Sequence, residues 1–169
     1  MFNLYLIGGA PGSGKSAIAE SLFKGFGDDT VIVAADDWFD KFNEGKFNPT
    51  KLPVAHEWCQ DTVRAAIVAR KGNVVVHNTL VDLGEKGAKP YLDMAREEGY
   101  TAHMMFAVNH HGSRSIHGVP NHVVAKMART CGNTLVSAAM SGMEKGEYHT
   151  CGADNVSWAK YCVHCGVSL

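Results

Sequence analysis

A glycine-rich segment near the start of the chain constrains the fold more than any other part of the sequence. Residues 8–16 read GGAPGSGKS, and residues 9–16 have the spacing G-x-x-x-x-G-K-S. They follow an apolar run at 4–7 and precede a helix-like stretch. Glycines let successive backbone amides converge on one phosphate, and a helix that starts there points its positive end at the same anion. The segment therefore predicts a phosphate-binding loop between a strand and a helix, with a nucleoside triphosphate as its ligand.

The residue types of this loop have separate expected roles. Lys15 is placed to reach the β- and γ-phosphates of ATP, which makes it catalytic as well as nucleotide-binding, and the Ser16 hydroxyl is placed to bind Mg²⁺. The expected nucleotide-binding residues are Gly9, Pro11, Gly12, Ser13, Gly14, Lys15 and Ser16. The sequence therefore predicts ATP and Mg²⁺ as cofactors.

Composition and charge narrow the class of protein. The chain has 169 residues, of which 46% are hydrophobic, which is enough for one domain with a real core. A net charge of −1 argues against a large positive surface that binds a long nucleic acid, but it is compatible with a local positive patch that binds a short end. We see no signal peptide and no run of the roughly 20 apolar residues that a membrane helix needs. With an odd count of five cysteines, we expect a reducing, cytoplasmic setting without a membrane partner, and a phage origin stays open.

Strand-like and helix-like segments alternate along the chain. Strands are predicted at 4–7, 31–35, 74–76 and 103–108, and helices at 15–26, 56–70, 86–98 and 121–130. The near-continuous apolar strands are typical of a parallel sheet that helices cover on both faces. We therefore predict an α/β fold, the three-layer arrangement of P-loop NTPases, over residues 1–141. Residues 142–146 then form a linker to a small tail over 147–169.

Two carboxylates, Asp36 and Asp37, directly follow the second predicted strand. The carboxyl ends of parallel strands open onto one crevice, so these side chains are expected to face the triphosphate. Asp36 is the predicted general base, which would accept a proton from an acceptor hydroxyl in line with the γ-phosphorus. Asp37 is the expected contact to the substrate or, through water, to Mg²⁺. In the alternative interpretation, either residue simply caps the following helix.

The ends of the third and fourth strands carry the other candidate residues. His77, Asn78 and Thr79 follow the third strand. We expect Asn78 and Thr79 to hydrogen-bond the acceptor or a metal-bound water, and His77 to be a satisfied strand-end residue or a weak neutral ligand. Arg114 lies after the fourth strand, in a segment that could close as a lid and supply positive charge to the transferred phosphoryl group.

Several short motifs occur in a fixed order between about residues 3 and 130. They lie at 9–16, 36–38, 55–58, 78–79, 89–91, 99–100 and 114–120. In this combination the chain resembles the P-loop kinases related to bacteriophage polynucleotide 5′-hydroxyl kinase, and within them a branch with AHEW and HGVP signatures. The resemblance implies that Lys15 and Ser16 act on ATP and Mg²⁺, that Asp36 is the general base, and that Arg114 is a lid arginine near the β- and γ-phosphates.

The resemblance implies phosphoryl transfer to the 5′-hydroxyl end of a nucleic acid, DNA or RNA. Residues 77–80 read HNTL, where the family usually has Asp-Asn-Thr-Asn or Ser-Asp-Thr-Asn, and Phe39 stands where the phage enzyme has an arginine. Two other functions stay open. One is a small-molecule or nucleotide kinase, and the other is a weakly catalytic ATP-binding adaptor whose tail binds nucleic acid or protein.

Cysteines and histidines in the tail are spaced like the two knuckles of a zinc ribbon. Cys162 and Cys165 form an intact Cys-x-x-Cys-Gly, the arrangement that places two thiolates on one tetrahedral Zn²⁺. In the first knuckle, Tyr148 stands where the ribbon pattern has a cysteine. His149 is therefore the expected fourth ligand beside Cys151, Cys162 and Cys165, and His164 and Cys131 are the less favoured substitutes. A degenerate ribbon without metal is the alternative.

Overall fold

The computed structural model describes residues 1–81, 83–108 and 119–141, with side chains described up to residue 134. In this part of the chain the strands are β1 (Asn3–Gly8), β2 (Thr30–Val33), β3 (Asn73–Val76) and β4 (Thr101–Phe106). The helices are α1 (Lys15–Phe23), α2 (Asp37–Phe42), α3 (Leu52–Val68), α4 (Lys89–Glu98) and α5 (Asn121–Ser141). Short 3₁₀ turns cover Lys24–Phe26 and Pro49–Lys51.

The four described strands form one parallel sheet in the order β2-β3-β1-β4. β1 is central and pairs with β3 on one side and with β4 on the other, while β2 pairs with β3. The predicted α/β class with a parallel sheet is thus confirmed. Local sequence patterns do not predict the strand order, because β1 and β2 are consecutive in the chain but are separated in the sheet by β3.

Element boundaries differ from the sequence prediction where turns and prolines decide them. β2 ends at Val33 because the Asp37 N–H donates to the Ala34 carbonyl at 3.2 Å, which makes 34–36 a turn and not strand. α3 begins at Leu52, earlier than predicted. Pro53 is tolerated in the first turn of this helix because the N–H that proline lacks would have no partner within the helix at that position. α5 continues past its predicted end to Ser141.

Successive strand residues pack on opposite faces of the sheet. One core combines strand residues with α3 and α4, and includes Leu4, Leu6, Val74, Val76, Cys59, Ile67, Tyr91 and Met94. The other combines Ile7 and Val75 with Ala19 and Phe23 of α1. Because apolar side chains leave both faces, helices cover the sheet on two sides. This is the layering that the strand sequences predict.

The carboxyl ends of three strands meet at one edge of the sheet and position the candidate site. β1 runs into the glycine-rich loop, β2 into the turn that contains Asp36, and β3 into His77. The main chain is tightly packed at this edge, since a Cβ atom on Gly8 would lie 2.5 Å from the carbonyl oxygen of Leu80. Ligands of open parallel α/β sheets bind at this edge.

Residues Met1–Cys131 form one compact unit, and α5 begins within it. The predicted tail, 147–169, lies outside the described residues, so the predicted domain boundary at 141 stays a prediction. Among the helices that the structure describes, none combines the length and the apolar character needed to cross a membrane.

Candidate active site

The glycine-rich loop has the backbone conformation of a phosphate cradle. Gly9 has a φ of 149° and Gly14 a φ of 88°, values that L side chains rarely adopt. A Cβ atom on Gly9 would also lie 2.6 Å from the Ala107 carbonyl oxygen. α1 begins at Lys15 and has no acidic residue in its first turn, so its positive end is left for an anion. The geometry of the loop thus fits the role predicted from its sequence.

Two side chains of the loop fit a bound triphosphate. Lys15 Nζ donates to the carbonyl oxygens of Gly9 and Ala10 at 3.0 Å each, which holds the ammonium group over the loop. Burial lowers the pKa of Lys15, and the negative charge of Asp36 opposes this shift. Ser13 Oγ is buried and has no hydrogen-bond partner among the residues that the structure describes. A phosphate oxygen would accept hydrogen bonds from both groups.

A cleft of about 510 Å³ lies beside the loop. Its lining includes Ser16, Asp36, Asp37, Phe39, Phe47 and His77. The structure thus brings together the predicted Mg²⁺ ligand, the predicted base and one predicted substrate contact. These residues come from α1, from the turn after β2, from α2 and the segment that follows it, and from the end of β3.

The two aspartates have different environments. Asp37 is half-buried, and its Oδ2 accepts a 2.8 Å hydrogen bond from the Ala34 N–H. Asp36 is exposed, lines the cleft and precedes α2 without a side-chain hydrogen bond to the amides that begin this helix. The alternative interpretation of Asp36 as a side-chain cap of α2 is therefore wrong. Asp37 fixes the turn, and Asp36 presents its carboxylate to the cleft.

His77 lies next to the predicted Mg²⁺ ligand. Its Nδ1 is 3.4 Å from Ser16 Oγ, and its main-chain N–H donates to the Val33 carbonyl at 3.2 Å. Burial lowers the pKa of His77, and the negative charge of Asp37 opposes this shift. The lowered pKa keeps the imidazole neutral near pH 7, so that one ring nitrogen carries a lone pair.

Asn78 is engaged inside the protein. Only 4% of it is exposed, and its Oδ1 accepts a 2.7 Å hydrogen bond from the Ala35 N–H. Its Nδ2 donates to Tyr91 Oη at 3.2 Å and to Cys59 Sγ at 3.3 Å. The side chain thus ties the end of β3 to α3, to α4 and to the turn that carries Asp36. These contacts occupy the amide group that the sequence analysis assigned to the substrate.

Removing the Asn78 amide should destabilise the domain. We expect Asn78→Ala to lower the free energy of unfolding by about 1–3 kcal/mol, because the Ala35 N–H would be left buried without a partner. Urea denaturation followed by circular dichroism measures the change. Asn133→Ala on the exposed surface of α5 is the matched control, with an expected change below about 0.5 kcal/mol. Equal effects of the two substitutions would contradict the role inferred for Asn78.

His56 on α3 is a neighbour of the predicted base that sequence reasoning did not assign to the site. It is half-buried, and burial lowers its pKa, while the negative charge of Asp36 acts in the opposite direction. In the sequence, its only signal was its place in the AHEW motif. The structure therefore adds a neutral imidazole to the electrostatic surroundings of Asp36.

The lowered pKa of His56 predicts a stability that depends on pH. In the unfolded chain this histidine titrates near its ordinary pKa of 6.5, and it binds a proton more readily there than in the folded protein. The contribution of His56 to folding stability is therefore fully present above about pH 6.5 and is lost as the pH falls through the pKa of the folded state. The lowered pKa of His77 makes the stability depend on pH in the same direction. We expect His56→Gln to reduce the difference in unfolding free energy between about pH 7.5 and pH 5.5, measured by urea denaturation. Gln60→Ala on the same helix, which changes no titratable group, serves as the control and should leave the difference unchanged.

Several predicted site residues lie outside the described residues or stay untested. The residues outside are Arg114, His149, Cys151, Cys162 and Cys165. Thr79 is half-buried at the end of β3, and its contact with substrate stays a prediction. Within the described segments, no group of three or more His, Cys, Asp or Glu side chains is arranged to hold a metal ion.

The fold and the loop together define the class of this protein as a P-loop, kinase-like α/β domain. Residues 4–111 match the sequence profile of the AAA domain family, and the chain belongs to that family. The matched range includes β1 with the phosphate loop, the turn with Asp36 and Asp37, and the end of β3 with His77.

Individual proteins are similar to this chain at low sequence identity. Human NEDD4-binding protein 2 is 29% identical over 131 residues, which cover 73% of this chain and 7% of that protein. A chain of the Pnkp1/Rnl/Hen1 RNA repair complex is 18% identical with a TM-score of 0.56, over 80% of this chain and 46% of that one. The APS kinase CysC of Mycobacterium tuberculosis, solved with AMPPNP and APS, is 16% identical with a TM-score of 0.46, over 83% of this chain and 75% of that one. This chain thus spans a small part of the first relative and under half of the first structure.

Proposed function

We propose that this chain catalyses the ATP- and Mg²⁺-dependent transfer of a phosphoryl group to a hydroxyl acceptor. The observation that carries the proposal is that Ser16 and Asp36 line the same cleft. A phosphate loop alone would support only nucleotide binding. A carboxylate that faces the same cleft adds a base for the acceptor hydroxyl, which phosphoryl transfer needs next to the γ-phosphate.

The residues of the cleft have distinct roles in the proposed reaction. Lys15 and the loop amides hold the β- and γ-phosphates, and Asp36 orients the acceptor hydroxyl. The acceptor oxygen bonds to the γ-phosphorus while the bond from phosphorus to the β,γ-bridging oxygen breaks, and ADP leaves with that electron pair. The hydroxyl proton passes to Asp36 and then to water. Mg²⁺, when held at Ser16, supplies positive charge to the phosphate oxygens.

We propose the 5′-hydroxyl end of DNA or RNA as the acceptor, as the resemblance implies. An aromatic surface on α2 and α3 supports this: Phe42 lies 5.8 Å from Trp38 and 6.1 Å from Trp58 between ring centroids. Phe42 is 60% exposed, and Lys41 Nζ lies 4.8 Å from the centroid of the Trp58 ring. Exposed aromatic rings beside a lysine stack bases and attract the phosphates of a single strand. α2 begins directly after Asp36, so this surface is close to the predicted base.

A small hydroxyl compound is the second candidate acceptor, and the charge of the cleft favours it. The acidic residues Glu20, Asp36, Asp37 and Asp40 line the cleft together with the basic Lys24. An acidic wall repels phosphodiesters and attracts neutral or cationic molecules. A sugar or an amino alcohol would fit this charge better than an oligonucleotide.

Transfer of label from γ-labelled ATP to a panel of acceptors tests these proposals. The panel contains 5′-hydroxyl DNA and RNA, nucleosides, nucleoside monophosphates, sugars and amino alcohols, and the same oligonucleotides with a 5′-phosphate are the matched control. Label on the 5′-hydroxyl oligonucleotides alone supports the first acceptor, and label on the small compounds supports the second. ATP binding without label on any acceptor contradicts both and favours the adaptor.

We also propose that the tail holds one Zn²⁺. The proposed ligands are Cys151, Cys162 and Cys165 with His149. Protein purified without a histidine tag should contain about one zinc per chain by elemental analysis, and a chelator should loosen the tail while ATP binding persists. Cys162→Ser should lower the zinc content, whereas Cys59→Ser in the core should not. A content near zero in reduced, folded protein would mean that Tyr148 marks a ribbon without metal.

A further inference from the structure

We propose that the divalent ion of this site is bound through nitrogen as well as oxygen, with the imidazole of His77 and the hydroxyl of Ser16 as two of its ligands. The site therefore favours Mn²⁺ over Mg²⁺. The inference rests on the proposed function, which makes Ser16 the metal ligand of an ATP site. It goes further because it assigns a second protein ligand and a metal preference to that site.

The two atoms lie close to the distance between neighbouring ligands of one ion. His77 Nδ1 is 3.4 Å from Ser16 Oγ. Two adjacent ligands in an octahedral shell, each about 2.1 Å from the metal, are about 3.0 Å apart. The observed separation is within about 0.5 Å of this value, which fits two neighbouring ligands of one ion.

Regular structure holds both residues at this place. Ser16 lies in the first turn of α1, where the helix follows the phosphate loop directly. His77 follows β3, and its main-chain N–H donates to the Val33 carbonyl of the neighbouring strand. Because neither residue lies in a long loop, the imidazole and the hydroxyl are presented together before a nucleotide binds.

The surroundings are suited to a cation. Asp36 and Asp37 line the same cleft as Ser16 and His77, so two carboxylates add negative charge beside the two ligands. Lys15 Nζ donates to the carbonyl oxygens of Gly9 and Ala10 in the loop. Phosphate oxygens and water would fill the remaining positions of the shell, as they do for metals at kinase sites.

The chemistry of the ligands decides which metal this shell prefers. Mg²⁺ takes oxygen ligands, whereas imidazole nitrogen binds first-row transition ions, whose affinity for such ligands rises from Mn²⁺ onward. Mn²⁺ also accepts the oxygen-rich octahedral shell that a triphosphate provides. The resembled family has an aspartate or a serine at the position of His77, and either side chain would leave an oxygen-only shell.

Pulsed electron paramagnetic resonance of Mn²⁺ tests the inference directly. The spectrum of the protein with Mn²⁺ and AMPPNP at about pH 8 should show the coupling of a directly bound ¹⁴N nucleus. His77→Gln and His77→Asp should remove this coupling, and His103→Gln, a histidine of β4 that stacks on Tyr5, should retain it. Growth with ¹⁵N-labelled histidine should convert the signal to that of ¹⁵N, which identifies the ligand as a histidine without any substitution.

Competition between the two metals gives the second measurement. We expect His77→Asp to reduce the preference for Mn²⁺ over Mg²⁺ by about 10- to 100-fold, the range seen when groups that support a metal are replaced. Bound Mn²⁺ without nitrogen coupling in the wild-type protein, or no Mn²⁺ binding at all, would overturn the inference. Nitrogen coupling in a protein that labels no acceptor would support the metal site while contradicting the proposed kinase activity.

Discussion

Asp36→Asn is expected to lower the turnover of phosphoryl transfer by about 10²- to 10⁴-fold while the affinity for ATP stays nearly unchanged. Asparagine has almost the same shape as aspartate, but it cannot accept the proton of the acceptor hydroxyl. Asp36 is exposed in the cleft, so we expect the asparagine variant to fold like the wild type. Steady-state kinetics with the acceptor found in the panel, together with ATP binding by calorimetry, measures the two effects separately.

Asp37→Asn is the matched control for this substitution. Asp37 lies in the same cleft, but its Oδ2 accepts from the Ala34 N–H. An asparagine keeps an oxygen that can accept this hydrogen bond, so we expect the turn to be kept and the loss of turnover to be much smaller than that of Asp36→Asn. If Asp37→Asn shows the large loss and Asp36→Asn is mild, the two aspartates have been assigned the wrong way round.

Features that depend on consecutive residues could be predicted from the sequence. The phosphate loop needs glycine where φ is positive, as at Gly9 and Gly14, and the spacing of such glycines is visible without a structure. Apolar runs likewise predicted the parallel sheet, since a strand buried on both faces cannot alternate polar and apolar residues. The candidate base could be placed for the same reason, because it directly follows a strand.

Features that depend on distant residues could not be predicted. Asn78 contacts the Ala35 N–H, Cys59 and Tyr91, which come from other elements of the chain. An asparagine after a strand has the same local pattern whether it faces a substrate or the core. The strand order and the nearness of His56 to Asp36 are likewise set by packing between elements and not by neighbouring residues.

The departure at Leu80 from the resembled family has a structural reason in the packing. Leu80 is 3% exposed and belongs to the core on the side of α3 and α4, while its carbonyl oxygen packs closely against Gly8. An apolar side chain at this position therefore contributes burial and is not part of the lining of the cleft. Among the residues that replace the polar family pattern at 77–80, His77 is the one that lines the cleft.

Lys15→Ala is expected to weaken ATP binding by about 10-fold or more and to lower turnover by about 10²- to 10³-fold or more, with no loss of folded structure. Lysine acts on phosphates as a point charge, and alanine provides no replacement for it. Lys15 Nζ donates to the Gly9 and Ala10 carbonyls of the loop. Burial lowers the pKa of Lys15, so burying the charged ammonium group is unfavourable and the substitution removes this cost. Stability should therefore stay close to that of the wild type.

Lys24→Ala is the matched control, because Lys24 is an exposed lysine that lines the same cleft farther along the chain. It lies just past the C-terminal end of α1, away from the positive N-terminal end of this helix. We expect ATP affinity and turnover of Lys24→Ala within a few-fold of wild type, since one exposed charge contributes little at physiological salt. Calorimetric titration with ATP, thermal unfolding and the label-transfer assay distinguish the two lysines. A folded Lys15→Ala protein that binds ATP and turns over as the wild type does would show that residues 9–16 are not the nucleotide site.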